Sequence, residues 1–164
     1  PVIAARLTAP SRGEKFPALA PPASHSRCNW TKHMAVTVGQ RAERSLSLTA
    51  SHVKTFAELT GDYNPLHFDE AFAAKTKFGR LVVQGGLTTG LLHALVAMDM
   101  PGPGTVFLSQ NWKFTAPVYI GDTITAAAEV MSVHASKPVT QLAIRVTCEG
   151  GEVVLEGEAW CYTF

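Results

Sequence analysis

The sequence predicts a single α+β domain, one antiparallel sheet with its helices gathered on one face. Three observations carry that expectation. From residue 105 onward, four alternating segments follow one another with only turn-like joints between them. Ahead of them stands one long apolar segment, "GGLTTGLLHALVAMDM", opened by glycines and closed by "PGPG". The length of 164 residues, with 46% hydrophobic and 16% charged side chains, suits one domain around one sizeable core.

The domain is expected over residues 39–164, behind an arm over residues 1–38 that lacks sustained periodicity. Residues 1–34 hold five of the ten prolines and five basic residues (Arg6, Arg12, Lys15, Arg27, Lys32) against the single acid Glu14. The arm therefore carries a formal charge of +4 and the remainder −3. Such a stretch reads as poorly ordered. Three origins fit it: an organellar transit segment, being basic and acid-poor; an expression-vector or upstream-reading leftover, since Met34 offers a natural start; or a genuine disordered extension. The second is favoured. Cytoplasmic residence is expected, or the mitochondrial matrix if residues 1–33 are a transit segment.

The net charge of +1 gives no reason to expect a nucleic-acid partner. No apolar run is long enough to span a bilayer, the best being Leu87 to Met100, broken by Thr, Gly, His and Asp. Cys28, Cys148 and Cys161 fit neither a disulfide framework nor a zinc spacing, and are read as reduced thiols.

Element by element, "RAERSLSLT" alternates as a first strand and ends on Thr49, a helix N-cap. "ASHVKTFAELTG" puts Val53, Phe56, Ala57 and Leu59 near helical spacing and stops at Gly61. Asp69 caps a short helix, "EAFAAKT", with Phe72 and Ala73 inward. In the long helix, expected over about 86 to 100, Leu87, Leu91, Ala94, Leu95 and Met98 form an apolar stripe. Gly86, Gly90 and Ala94 form a second stripe of small residues, which suggests close approach by another backbone, as in a helix wrapped by a curved sheet. The four strands follow, the first placing Val106, Leu108, Trp112 and Phe114 on one parity.

The chemistry concentrates in "GDYNPLHFDEAF", residues 61–72. Pro65 fixes its own φ and biases Asn64 toward extended geometry, so the path from Asp62 to His67 is stiff. Two proton-accepting groups held this way suit acid–base work on one shared water, with Asn64 available to orient one of them or a carbonyl. The plainer reading is an Asx-type turn with a histidine at a helix entry. From spacing alone that plainer reading is the stronger, because polar turn residues outnumber catalytic ones.

Gly85 and Gly86 open the long helix, where free amides and the helix dipole suit a developing oxyanion. A loop-to-helix junction explains the same pair. His93 is read as a buried or supporting histidine, His52 and His134 as surface residues. Lys75, Lys77 and Arg80 cluster in the connector, either as a solvated patch or as a contact for phosphates or an acidic carrier. No grouping has metal-ligand spacing, and no nucleophile motif is present.

Together, "FAELTGDYNPLHFDEAFAAKTKFGRLVVQGGLTTGLL" and "FTAPVYIGDTITAAAEV" resemble the MaoC-like, R-specific enoyl-CoA hydratase (hydratase 2) family over about residues 42–163. The joint pattern is far more specific than any of its parts, and it reverses the odds against a catalytic Asp/His pair. The resemblance implies a hot dog fold, a long helix wrapped by an antiparallel sheet, normally in a homodimer. It implies Asp62 and His67 as the catalytic pair, the Gly85 amide as oxyanion donor and Asn64 as support. It implies reversible syn addition of water to a trans-2-enoyl thioester, giving the R-3-hydroxyacyl product. No metal or redox cofactor is expected, since CoA arrives as part of the substrate. Many relatives carry His where this chain has Gln84; because the donor is the next backbone N–H, tuning rather than loss is expected. His93 stands where a small hydroxyl residue is expected.

Two enzyme rivals and one non-enzyme rival remain at this stage. A 3-hydroxyacyl-[acyl-carrier-protein] dehydratase runs the same chemistry backwards. A hot dog thioesterase usually needs a carboxylate on the central helix, and none lies between Leu87 and Met98. An acyl-binding partner subunit of a heterodimer is expected to lack the Asp/His pair that this chain has.

Overall fold

A computed structural model describes residues 36–164. The arm expected over residues 1–38 thus lies outside the described residues except for its last three. These lead through a turn, closed by Gln40 N–H donating to the Thr37 carbonyl at 3.0 Å, into the first strand.

The elements are β1 (Arg41–Ser47), α1 (Ala50–Thr60), a 3-10 turn (Pro65–His67), α2 (Glu70–Ala73), α3 (Gly85–Met98), β2 (Thr105–Phe114), β3 (Thr123–Val133), β4 (Val139–Cys148) and β5 (Val153–Thr163). The strands form one antiparallel sheet in the order β1-β3-β4-β5-β2, curled around α3, which packs on β1, β2 and β3. This is the expected hot dog plan, with α1 laid against α3. Strand alternation explains it: Ile124, Ala126, Ala128 and Val130 of β3, and Leu142, Ile144 and Val146 of β4, all point to the buried face. No helix among the described residues is long and apolar enough to cross a membrane.

Local signals fix the helix ends. Thr49 caps α1 in a reciprocal capping box, its Oγ1 accepting from His52 N–H while His52 Nδ1 accepts from Thr49 N–H. Gly61 closes the helix with φ of 78°, a left-handed conformation that favours glycine. Asp69 caps α2 by accepting from Phe72 N–H at 2.9 Å. That same helix buries Ala73 but leaves Phe72 exposed, because a single turn has one inward position.

The structure corrects three expectations about faces. In α3 the buried side chains are Thr88, Leu91, Leu92, Leu95 and Val96, while Met98 is 60% exposed. A helix apolar nearly all round carries no unique stripe, so contact with the sheet, not periodicity, chooses the face. The small-residue stripe does not meet a neighbouring backbone: a Cβ at Gly86 would strike the Phe56 ring, and one at Gly90 would meet open space. In β2 the register against β5 shifts between Phe107 and Ser109, a bulge at Leu108. Phe107 and Trp112 therefore pack against the core, and Val106, Leu108 and Phe114 are exposed.

Two contacts tie the ends of the assembly. Gly157 of β5 pairs with Trp112 of the edge strand β2, and a Cβ there would lie 2.5 Å from Trp112 Cα. At the C-terminal end of α3, Arg44 of β1 grips Asp99 with two hydrogen bonds, Nε to Oδ2 at 2.7 Å and Nη2 to Oδ1 at 2.9 Å. Hydrogen bonding to the guanidinium holds the Asp99 carboxyl below the usual carboxylate range and raises Arg44. A lowered folded-state pKa contributes stability above the unfolded value and loses it as pH falls through the folded value. The wild type is therefore expected to be more stable than Arg44→Met at neutral pH, by an amount that vanishes on acidification as Asp99 protonates. Urea unfolding at a series of pH values checks this, and a difference that persists or grows in acid contradicts it.

Candidate active site

The stretch between α1 and α3 is built from short turns, each fixed by a side chain. Thr60 Oγ1 donates to the Phe56 carbonyl at 2.7 Å and accepts from Asp62 N–H at 3.3 Å. Asn64 Oδ1 accepts from Leu66 N–H at 3.0 Å and so caps the 3-10 turn, with Pro65 at its first position. The backbone N–H of Asn64 donates to Asp62 Oδ1 at 3.3 Å. The Asn64 side chain thus serves its own turn, and its backbone orients the Asp62 carboxylate.

His67 is held from the other side. Its Nδ1 lies 2.7 Å from the Val82 carbonyl, and Val82 N–H donates to the Leu66 carbonyl at 3.2 Å. A carbonyl only accepts, so Nδ1 carries the proton. In the neutral ring Nε2 is then a lone pair, and it faces Asp62 Oδ2 at 3.7 Å. That gap is too long for a direct hydrogen bond. Two acceptors spaced this way both welcome a donor between them, and water has two. The His67 side chain is 10% exposed and that of Asp62 42%, so the pair opens toward solvent at the carboxylate.

Val82 also lines a cavity of about 340 Å³, with Lys77, Gly85, Thr88, Phe114 and Val118 among its walls. The segment is anchored by Val83 N–H to the Val118 carbonyl at 2.9 Å. Gly85 is the first residue of α3, and no side chain caps that helix end. Its missing Cβ matters: one there would lie 3.0 Å from Phe114 Cζ, in the space the cavity occupies. Gln84 turns inward instead of capping. It is 1% exposed, its Nε2 donates to the Val53 carbonyl at 3.1 Å, and its Oε1 has no partner among the described residues. The side chain thereby tethers the start of α3 to α1.

A larger hollow, about 790 Å³, lies on the opposite face of the sheet over Ala127 and Ala143. Four of the six charged residues that line it are paired, Arg41 with Glu129 and Lys113 with Glu156, each at 2.9 Å. Neither Asp62, His67 nor Gly85 borders it. Gly85 lines the smaller cavity, and the Asp62 and His67 pair adjoins it through the Val82 carbonyl that holds His67.

The family resemblance is now testable against known proteins. Residues 33–150 match the MaoC like domain. The chain belongs to the MaoC-like family. An (R)-specific enoyl-CoA hydratase of Aeromonas caviae is 41% identical over 125 residues, covering 76% of this chain and 93% of that protein. A 3-hydroxybutyryl-CoA dehydratase of Methylorubrum extorquens is 45% identical over 113 residues, covering 68% and 71%. Among solved structures, the (R)-hydratase from A. caviae involved in PHA biosynthesis superposes with a TM-score of 0.76 at 39% identity, covering 79% of this chain and 98% of that one.

Within this MaoC-like fold the other sequence-derived candidates separate. Of the three basic residues, Lys77 lines the cavity, with Nζ 5.3 Å from the Phe78 ring centroid. Arg80 lies over the Tyr119 ring at 3.8 Å, and Lys75 is exposed outside the lining. His93 is exposed, not buried: it stands beside the edge strand, 3.2 Å from Gln110 Nε2 and 4.9 Å from the Phe107 ring centroid. Cys148 and Cys161 are free thiols in β4 and β5, which burial pushes up to about 11 and about 12. No group of three or more metal-ligating side chains is gathered among the described residues. Sequence reading missed Thr88, a buried polar residue of the cavity wall, because it sat inside an apolar helix pattern.

Proposed function

We propose that this chain is an R-specific enoyl-CoA hydratase, adding water to trans-2-enoyl-CoA to give (R)-3-hydroxyacyl-CoA. The observation that carries the reading is the 3.7 Å space between His67 Nε2 and Asp62 Oδ2, with the tautomer of His67 set by the Val82 carbonyl. A water bridging the two from the side donates one hydrogen bond to each acceptor and keeps a lone pair for the β carbon of the enoyl group. The Gly85 N–H, at the positive end of α3, donates a hydrogen bond to the thioester oxygen and stabilises the enolate. The proton that leaves the water on one of the two acceptors returns to the α carbon on the same face, so H and OH add syn. His67 Nε2 is the acceptor favoured by its tautomer, with Asp62 orienting the water. No metal or redox cofactor is required, because the polarised enoyl thioester needs only a donor and an acid–base pair.

Loss of enoyl absorbance with crotonyl-CoA, followed by chiral analysis, tests the reaction; an S product overturns it. Asp62→Asn and His67→Asn are each expected to lower kcat by roughly a hundredfold to ten-thousandfold without unfolding the protein. Full activity in both would remove the pair from the mechanism.

Lys77 is the basic residue placed to meet a phosphate of the arm that carries the acyl group. Lys77→Glu is expected to raise KM for crotonyl-CoA about tenfold and to leave crotonyl-pantetheine, which has no phosphate, little changed. Lys75→Glu serves as the comparison. Equal effects on both substrates contradict the contact. A crotonyl-acyl-carrier-protein substrate, run in the same series, separates the CoA hydratase from the carrier-protein dehydratase.

The partner of this subunit is a second copy of itself. β2 is a ten-residue edge strand that exposes Val106, Leu108 and Phe114, and Met98 of α3 is exposed as well. A long apolar edge of this kind is a template for pairing. Analytical ultracentrifugation is expected to show a dimer, and Leu108→Asp to shift it toward monomer. A monomeric wild type rejects the arrangement.

A further inference from the structure

Two threonines stand side by side in the first half of α3, and their hydroxyls do different things. Thr89 Oγ1 donates to the carbonyl of Gly86 at 3.2 Å, the back-bond a helical threonine ordinarily makes. Thr88 Oγ1 makes no hydrogen bond to any described residue, although Thr88 is only 2% exposed. Among the described residues the only sealed side-chain polar atom without a partner is Gln84 Oε1, so the Thr88 hydroxyl is open to the cavity, and its place in the wall calls for an explanation.

The helix supplies one. Thr88 lies three residues beyond Gly85, on the same face, and helical side chains lean back toward the N-terminus. Its side chain therefore overhangs the turn that carries the Gly85 amide. Both residues line the same cavity of about 340 Å³. A valine would fill the same volume without an unpaired polar atom, and the neighbouring inward positions of α3 are Leu91, Leu92, Leu95 and Val96.

We infer that the Thr88 hydroxyl is a second donor to the thioester oxygen, acting beside the Gly85 N–H. This rests on the hydratase reading above. A hydrogen bond to that oxygen strengthens as negative charge collects on it, so it lowers the barrier more than it tightens substrate binding.

Thr88→Val and Thr88→Ser, with crotonyl-CoA, test the assignment. Val is expected to lower kcat about tenfold to a hundredfold with KM changed much less, and Ser to restore most of the loss. The melting temperature of substrate-free Thr88→Val should change little, since the hydroxyl bonds no described residue. A merely structural threonine would instead give a lower melting temperature, with kcat unchanged. The absorbance of a bound dienoyl-CoA gives a readout independent of turnover: two donors shift it to longer wavelength, and Val should reduce the shift. Unchanged kcat and an unchanged shift in Thr88→Val overturn the inference while leaving the hydratase reading intact. A wild type that hydrates no enoyl thioester sinks the hydratase reading, and the dienoyl spectrum still reports whether Thr88 polarises a bound thioester.

Discussion

The constraint on which the structure depends is the burial of α3. Its sequence is apolar almost all round, so no single flat surface can shelter it, and the sheet must curl while α1 covers part of what remains. Much of α3 is sheltered, although Gly90, His93 and Met98 remain exposed, and its unpaired backbone groups lie at its ends. The C-terminal end is clasped by the Arg44–Asp99 pair. The N-terminal end, without a side-chain cap, is left at the wall of a cavity. The same hydrophobic demand that makes the fold thus delivers unpaired backbone donors to an accessible place.

Around that end, the chemistry is arranged by backbone more than by side chains. The Val82 carbonyl sets the tautomer of His67, and the Asn64 N–H holds one oxygen of Asp62. The other oxygen is left facing Nε2 across a gap that neither group can close alone. Each of these partners is a peptide group, so the pair is insensitive to surface side-chain changes nearby. Its geometry depends on the turns of residues 60–67, which Thr60, Asn64 and Pro65 hold in place.

Much of this was legible in the sequence, for identifiable reasons. The strands were, because most alternate and β2, β3, β4 and β5 each start within two residues of a glycine or proline. Thr49, Gly61 and Asp69 announced their helix ends through residue types that few other roles require. The Asp62 and His67 pair became legible only with the glycine-opened helix downstream, since either segment alone suits an ordinary turn. The faces of α3 and of β2 were not legible. In α3 there is no polar side to exclude, and in β2 one extra residue at Leu108 switches parity in mid-strand without any compositional mark. His93 failed for a related reason: a polar residue in an apolar helix looks buried until the edge of the sheet is known. The Thr88 hydroxyl belongs to the same class, legible as part of a cavity wall only once the helix is set in its sheet.

Gly157 carries a consequence for how the chain finds this arrangement. Strands β2 and β5 are neighbours in the sheet but are separated in the chain by both β3 and β4. A wrong alignment between such distant segments is easily made, because alternating strands look alike every second residue. Opposite Trp112, the backbones come too close to admit even a methyl group. A slip by two residues would preserve the hydrophobic pattern but bring Leu155 or Ala159 to that place, and neither fits. One position that tolerates no side chain therefore proofreads the closing step of the sheet.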